Sequence, residues 1–266
     1  MSSTKPATGS AEKWGALWGA RARDWGEDEE LQLPTYEVGL RRAEVAPGHK
    51  VLDIGCGTGV FLRLVADHGA EPFGLDASAS LLEIARERVP DVNLRVGEME
   101  RLPYEDAGFD LVTGFNSFFF AEDMVAALRE AGRVAKPGAR VLIQVWGAPE
   151  RCDLEAMKEV ARQYIPPPPA DAPPPLRLWE PGVLEEFAGR AGITPEARFA
   201  TSYASRYADD ETLGRLLAAP MGLGDLVGPE REPRLREDIL HALSPHPRPD
   251  GSYELRNEFQ CLLARA

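Results

Sequence analysis

Short apolar runs and helical stretches alternate through the middle of the chain, and this alternation restricts the fold more than any other feature. The runs that read as strands are KVLDIG, EPFGLD, VNLRV, FDLVTGF and RVLIQVW. Regular alternation of strands with helices predicts a parallel sheet with right-handed crossovers. RVLIQVW is almost continuously apolar, as expected of a strand buried on both faces. The sequence therefore predicts a doubly wound α/β fold.

The flanking segments divide the chain further. Residues 1–10 are expected to be a flexible tail, residues 11–46 a helical lid, and residues 47–266 the main domain. In the lid we predict one helix over 11–25 and a second from Pro34 to about Ala46, because apolar residues recur at helical spacing. The lid helix is expected to cover a site through Trp18, Arg21 and Trp25, although plain packing of its tryptophans onto the sheet is an equal alternative.

The alternation stops at an insertion of about residues 148–180. Its proline-rich part, IPPPPADAPPP, is expected to be an extended connection, since proline disrupts helices and central strands; a recognition site for a partner domain is the lesser alternative. Beyond it we predict a helix after Pro181, a strand over 195–203, a polar helical region over 208–243 and a closing antiparallel strand over 253–264.

Composition limits the partners. The net charge is −13, which disfavours a broad surface for nucleic acid or anionic lipid. Three scattered cysteines in no metal-binding spacing indicate neither a disulfide framework nor a zinc site. A polar first segment and the lack of a long apolar run predict a cytoplasmic protein without a membrane span. The sequence does not indicate an oligomeric state.

The segment VLDIGCGTG combines a strand end with three glycines at alternate positions. Glycines allow a tight turn and a close approach of a ligand to the backbone. Asp53, two places before Gly55, suits a cationic ligand group better than a pyrophosphate. A tight turn without a ligand is the alternative. Asp76 ends the second strand, where a carboxylate can accept hydrogen bonds from ribose hydroxyls; the alternative is a helix N-terminal acid.

Four segments, VLDIGCGTG, GLDAS, GEMERLPYEDAGFDLV and VAKPGARVLI, follow one another in this order. In these segments the chain resembles class I S-adenosylmethionine-dependent methyltransferases, in particular the small-molecule, methyltransferase type 11-like group. The resemblance covers about residues 49–147. It implies a Rossmann-like sheet of seven strands with one antiparallel C-terminal strand, and S-adenosyl-L-methionine as the cofactor. The cofactor contacts that it implies come from Asp53, Gly55, Cys56, Gly57, Asp76, Ala77, Glu98, Met99, Phe115 and Asn116.

Two departures from the family pattern bear on the chemistry. Glu98 stands where relatives often have Asp, and Phe118–Phe120 occupy a loop where many relatives carry histidines. We therefore expect an aromatic wall that includes Phe119, Phe120 and Trp146, with no histidine base from this loop and no metal. His241 and His246 are minor candidates for a base.

The leading hypothesis is methylation of a small, largely apolar acceptor, with alignment and water exclusion supplying most of the rate. The alternative is a noncatalytic module that binds the cofactor as a sensor or scaffold. A nicotinamide oxidoreductase is disfavoured by the glycine spacing. Methylation of nucleic acid is disfavoured by the net charge and by the lack of an NPPY-like tetrapeptide after the fourth strand.

Overall fold

The computed structural model describes residues 9–167, 175–220 and 223–266. Seven strands form one sheet in the order β3-β2-β1-β4-β5-β7-β6, in which β7 runs opposite to the other six strands. This confirms the predicted fold class. The strands are β1 Lys50–Ile54, β2 Glu71–Asp76, β3 Asn93–Val96, β4 Phe109–Phe115, β5 Ala135–Trp146, β6 Thr194–Tyr207 and β7 Tyr253–Arg265.

Eleven α-helices are present in the described part of the chain. They are α1 Ser10–Gly19, α2 Ala22–Glu30, α3 Leu33–Arg42, α4 Val60–Asp67, α5 Ala79–Arg88, α6 Met124–Val134, α7 Glu155–Ala161, α8 Val183–Arg190, α9 Asp210–Leu217, α10 Leu223–Val227 and α11 Glu232–Leu243. Short 3₁₀ helices lie at Phe118–Phe120 and Pro149–Arg151. None of the helices described is long and apolar enough to cross a membrane.

Apolar side chains cover both faces of the sheet. Leu128 of α6 and Leu184 of α8 pack on one face, while Tyr36 of α3 and Phe61 of α4 pack on the other. A separate cluster joins α7, α9, α10 and α11 to the ends of β6 and β7. This third group of helices stands beside the carboxyl ends of the parallel strands, where open α/β sheets bind their ligands.

The single lid helix predicted over 11–25 is wrong. The chain leaves the helical conformation at Arg21 (φ −127°, ψ 50°), which separates α1 from α2. The break follows Gly19, a weak helix former, and long-range ion pairs of Arg21 stabilise it. The next helix also ends earlier than predicted, at Arg42, because Glu44 takes a left-handed conformation with φ 55°.

The insertion differs from its prediction where it can be compared. It contains α7, which the sequence analysis did not anticipate, and α7 packs against α11 through a shared apolar cluster. Residues 168–174, which hold most of the proline-rich run, lie outside the described residues. The predicted strand over 195–203 extends to Tyr207, and the predicted polar helical region comprises three separate helices.

We expect two leucine variants to differ clearly in their free energy of unfolding, because one leucine is in the core and the other is exposed. Leu128 is fully buried under β4 and β5, so Leu128→Ala should lower the free energy of unfolding by about 2–5 kcal/mol, through lost burial and a cavity. Leu226→Ala is the control, because this side chain is 56% exposed. Urea unfolding measures both. Equal midpoints for the two variants would contradict the placement of Leu128.

Candidate active site

The turn after β1 is built by glycine conformations. Gly55, Gly57 and Gly59 all have left-handed φ angles, of 76°, 54° and 79°. The N–H groups of Gly55 and Cys56 both donate to the Leu75 carbonyl, at 2.7 and 3.1 Å, which fastens the turn to β2. The Cys56 side chain is buried in the cluster between α4 and α5, whereas Gly55 and Gly57 line a cavity. The turn therefore presents backbone to the cavity, as its sequence predicts.

Asp76 lies at the end of β2 and also lines this cavity. Its two carboxylate oxygens accept hydrogen bonds from the backbone N–H groups of Gly57, at 2.9 Å, and Ser78, at 2.8 Å. Burial raises the pKa of Asp76. The carboxylate thus joins the ends of β1 and β2 in the cavity wall. Its contact with a ribose stays a prediction.

Asp53 does not reach the cavity in the way the sequence suggested. Its carboxylate points toward β4, where the Thr113 hydroxyl donates to it at 2.6 Å. These two residues are register partners on neighbouring strands, which explains the direction of the side chain. Burial raises the pKa of Asp53 to about 8. Asp53 does not line the cavity, and its expected approach to a cofactor ammonium stays a prediction.

Glu98 is likewise occupied elsewhere. Its carboxylate accepts from the Ser10 hydroxyl at 3.1 Å and from the Ala11 N–H at 2.8 Å. Unpaired N–H groups and the positive end of the helix dipole make the first turn of α1 a good site for a carboxylate. Met99, the next residue, does line the cavity. Glu98 thus fastens α1 to the loop after β3 instead of facing the cavity.

The two lid helices lie directly on the loops that form the cavity floor. A Cβ atom added to Gly15 would clash with the Ala77 carbonyl oxygen, and one added to Gly26 would lie 3.2 Å from the Thr58 methyl carbon. Glycine at these places allows the close approach of helix and loop. The helices therefore cover the strand ends without an intervening layer of side chains.

Aromatic side chains form the roof of the cavity. Trp14 and Trp18 pack against Phe120, with ring centroids 4.7 and 5.7 Å apart, and Trp18 also packs against Trp25 at 4.7 Å. Phe119 lies against Phe120 at 4.6 Å. All five rings line the cavity. The lid and the loop after β4 thus meet through these rings.

Arg21 points away from the cavity, contrary to its expected role in the acceptor pocket. Its guanidinium forms a bidentate pair with Glu232, with both distances 2.7 Å, and a further bond to Asp225 at 3.0 Å. Arg215 of α9 pairs in the opposite direction, with Asp24 and Glu27 of α2. These ion pairs fasten α2 to the C-terminal helices, which is why Arg21 is not available to the cavity.

One cavity of about 380 Å³ runs from the glycine turn to the C-terminal helices, and its volume is in the usual range for small-molecule sites. The predicted residues that it brings together are Trp18, Trp25, Gly55, Gly57, Asp76, Ala77, Met99, Phe115, Asn116, Phe119, Phe120 and Trp146. Asp53, Cys56, Glu98 and Arg21 do not line it.

Sequence reasoning missed two acidic side chains of α2 in this cavity, Asp28 and Glu29. Glu29 accepts from the N–H and the hydroxyl of Thr58, at 2.9 and 2.7 Å, and burial raises its pKa to about 7. Both residues belong to the acidic run EDEE, which begins two residues after Trp25. Their position beside the aromatic lid residues is the one signal in the sequence that could have indicated a buried site instead of a solvent-exposed run of charges.

The end of the cavity farther from the glycine turn is formed by elements that no motif identified. Its lining comes from α7, β6, α9 and the residue Pro220, in addition to Trp146 at the end of β5; the side chains are Leu154, Met157, Lys158, Tyr203 and Leu217. The Lys158 ammonium lies 4.7 Å from the Trp146 ring centroid and pairs with Glu155 at 3.1 Å. This end is consequently apolar and aromatic, with one cation.

Asn116 links the two ends of the cavity. It follows β4 with a left-handed φ of 54°, and its N–H donates to the Gln144 carbonyl at 2.9 Å. A non-glycine residue held in this conformation costs free energy, and such residues concentrate at binding sites. Among the described residues its side-chain oxygen has no hydrogen-bond partner. The resulting bend brings the backbone after β4 to the cavity beside Phe115 and Ser117.

The strand order, the antiparallel β7 and the cavity over the glycine turn between β1 and α4 agree with the class I S-adenosylmethionine-dependent methyltransferase fold that the sequence resembles. Residues 52–143 match the family model described as a methyltransferase domain. The chain therefore carries a domain of this class, and S-adenosylmethionine is the cofactor of the class.

Known proteins agree with this assignment. The chain is 35% identical over 137 residues to a malonyl-[acyl-carrier protein] O-methyltransferase of Erwinia pyrifoliae, covering 52% of each protein. It is 33% identical over 111 residues to a demethylmenaquinone methyltransferase of Beutenbergia cavernae, covering 42% of this chain and 46% of that protein. The chain thus spans about half the length of the curated relatives it matches.

A solved structure shares the fold at low identity. A phosphoethanolamine N-methyltransferase of Haemonchus contortus, in complex with S-adenosylhomocysteine, has a TM-score of 0.52 and 21% identity. The similarity covers 87% of this chain and 52% of that one.

The position of Asp76 predicts its effect on cofactor affinity. Asp76→Ala should weaken binding of S-adenosylmethionine by about 1–3 kcal/mol, because buried ribose hydroxyls would lose their acceptor. Isothermal titration measures the change. Asp67→Ala, at the exposed end of α4, is the matched control, and a urea midpoint near that of the wild type checks the fold. Unchanged affinity in a folded Asp76→Ala protein would remove this residue from the cofactor site.

Proposed function

We propose that this chain transfers the methyl group of S-adenosylmethionine to a small, largely apolar acceptor by in-line attack. The observation that carries the proposal is the continuity of the cavity, which joins the glycine turn at one end to Trp146 and Leu154 at the other. A methyl donor held at the first end would direct its reactive group toward the second. The proposed partner is a small molecule, and the net charge of −13 disfavours nucleic acid.

The residues of the chain fit the cofactor and its reaction. When bound, S-adenosylmethionine supplies a methyl group on a positively charged sulfur, already activated for transfer. The turn at Gly55 and Gly57 offers backbone to the ligand, and Asp76 offers a carboxylate. The aromatic roof covers part of the cavity, and we infer that alignment and desolvation of the acceptor supply most of the rate.

A noncatalytic sensor is the alternative, and its expected mark is a blocked acceptor space. The end of the cavity beyond the glycine turn is instead open and lined by Leu154, Met157, Tyr203 and Leu217, which favours an acceptor-binding enzyme. The names of the relatives include acceptors as different as a malonyl carrier protein and a demethylmenaquinone. These names support methyl transfer, and the proposed class of acceptor for this chain is inferred from the lining of its own cavity.

Ligand-induced stabilisation tests the cofactor. S-adenosylhomocysteine should raise the melting temperature in proportion to the logarithm of its concentration above its Kd, because it binds the folded state only. NAD should leave the melting temperature unchanged, since the turn lacks the spacing of the dinucleotide fingerprint. Differential scanning fluorimetry with both ligands measures this. An equal rise with NAD would contradict the proposed cofactor.

Two histidine variants test the mechanism. His241 and His246 do not line the cavity, so His241→Ala and His246→Ala should each keep single-turnover methyl transfer within about tenfold, whereas a general base contributes about 10²–10⁴-fold. The acceptor for this assay comes from a screen of metabolites with methyl-labelled cofactor. A thousandfold loss in either variant, with cofactor affinity intact, would show that the C-terminal region supplies a base.

A further inference from the structure

Two adjacent carboxylates of α2 point to opposite sides of the cavity. Glu29 points to Thr58, beside the glycine turn. Asp28 points to Tyr207, near the end of β6 at the far edge of the sheet. β6 lies three strands beyond β4, so Asp28 belongs to the end of the cavity that is away from the cofactor motifs. The acceptor side of the cavity therefore contains a carboxylate.

The hydrogen bonding of Asp28 is incomplete. One carboxylate oxygen accepts from the Tyr207 hydroxyl at 2.8 Å, and the other makes no hydrogen bond to a described residue and is not fully buried. The residue is only 5% exposed and lines the cavity. A carboxylate oxygen that reaches a mostly apolar cavity gains free energy from each hydrogen bond that it accepts. A ligand that donates a hydrogen bond to the second oxygen would supply this gain.

The other charged and titratable groups of the cavity favour an uncharged hydrogen-bond donor beside Asp28. Glu29, Asp76, Tyr36, Tyr203 and Lys158 also line the cavity. Lys158 is the one cation among the lining residues, and it is already paired with Glu155 at 3.1 Å. The surrounding walls are aromatic and aliphatic. The free oxygen can accept a hydrogen bond from an uncharged hydroxyl compound, which adds no further charge to a buried site.

We propose that Asp28 is the catalytic proton acceptor for a hydroxyl-bearing acceptor, so that the chain is an O-methyltransferase. This inference rests on the proposed function. In the reaction, the acceptor oxygen forms a bond to the methyl carbon, and the carbon–sulfur bond breaks with its electron pair going to sulfur. The hydroxyl proton moves to the free oxygen of Asp28 and then to solvent. Tyr207 is a positioning residue, which holds the carboxylate through its other oxygen.

The ionisation of Asp28 agrees with this role. Burial raises the pKa of Asp28 to about 6, and the hydrogen bond from Tyr207 opposes the increase. The carboxylate is therefore ionised at neutral pH and can accept a proton, and activity should fall as the pH falls through about 6. A base with a pKa close to the working pH is the efficient kind.

A pair of isosteric probes tests the proton transfer. The probes are 2-naphthol and naphthalene-2-thiol, because an aromatic thiol ionises much more readily than the matching alcohol. Asp28→Asn should lower single-turnover methylation of 2-naphthol by about 10²–10⁴-fold and leave methylation of the thiol unchanged. Glu37→Gln is the matched control, since it removes a charge from an exposed position of α3 outside the cavity. Equal effects of Asp28→Asn on both probes, or no effect, would overturn the inference.

The pH profile separates positioning from folding. Tyr207→Phe removes the hydrogen bond that lowers the pKa of Asp28, so the acidic limb of the 2-naphthol profile should move to higher pH. Asp28→Asn should abolish that limb. A purely structural role for Tyr207 would change the amplitude of the profile and leave the limb in place, which would remove Tyr207 from the proposal.

A binding measurement distinguishes failure of this inference from failure of the proposed function. In complex with S-adenosylhomocysteine, the wild type should bind 2-naphthol about tenfold or more tightly than 2-methoxynaphthalene, which cannot donate a hydrogen bond. Asp28→Ala should abolish the difference. Equal affinities in the wild type, or methylation of the thiol alone, would overturn the inference and leave the proposed function standing. Binding of neither compound would overturn both.

Discussion

Glu29 connects the N-terminal helices to the glycine turn, and the closed site depends on this contact. Its carboxylate accepts two hydrogen bonds from Thr58 at the start of α4, while Gly26 allows α2 to approach the same residue. This contact holds α2 to the glycine turn and so helps to keep α1 and α2 over the strand ends. Without that cover the cavity would be an open cleft, and its carboxylates would be hydrated.

Other interactions hold the lid at its remaining edges. Glu98 binds the first turn of α1, and the ion pairs of Arg21 and Arg215 join α2 to α9, α10 and α11. Isolated surface ion pairs contribute little to stability, but Arg21 is only 17% exposed and binds two carboxylates. The lid thus spans from the loop after β3 to the C-terminal helices, and the acceptor side is enclosed by parts of the chain that are far apart in sequence.

The sheet and the glycine turn could be predicted because their signals are local. Each signal can be recognised within a short segment of the sequence. The signals are the alternating apolar runs, the three glycines within five residues and the acidic residue at a strand end. The positions of the Arg21, Asp53 and Glu98 side chains could not be predicted. Each side chain has two or more possible partners, and its actual partner is distant in the sequence. Arg21 pairs with Glu232, 211 residues away. For the same reason, the sequence did not predict that α7 and Asp28 line the cavity.

The buried carboxylates at and beneath the cavity also influence one another's ionisation. Burial raises the pKa values of Glu29 to about 7 and of Asp53 to about 8, and mutual repulsion among Glu29, Asp53 and Asp76 adds to the increase. A cationic ligand relieves that repulsion, and a neutral ligand of the same shape does not. The methyl donor of this class carries a positive sulfur, whereas the demethylated product carries a neutral one. A positively charged donor in the cavity would therefore favour the ionised forms of these groups and lower their pKa values, and the neutral product would not.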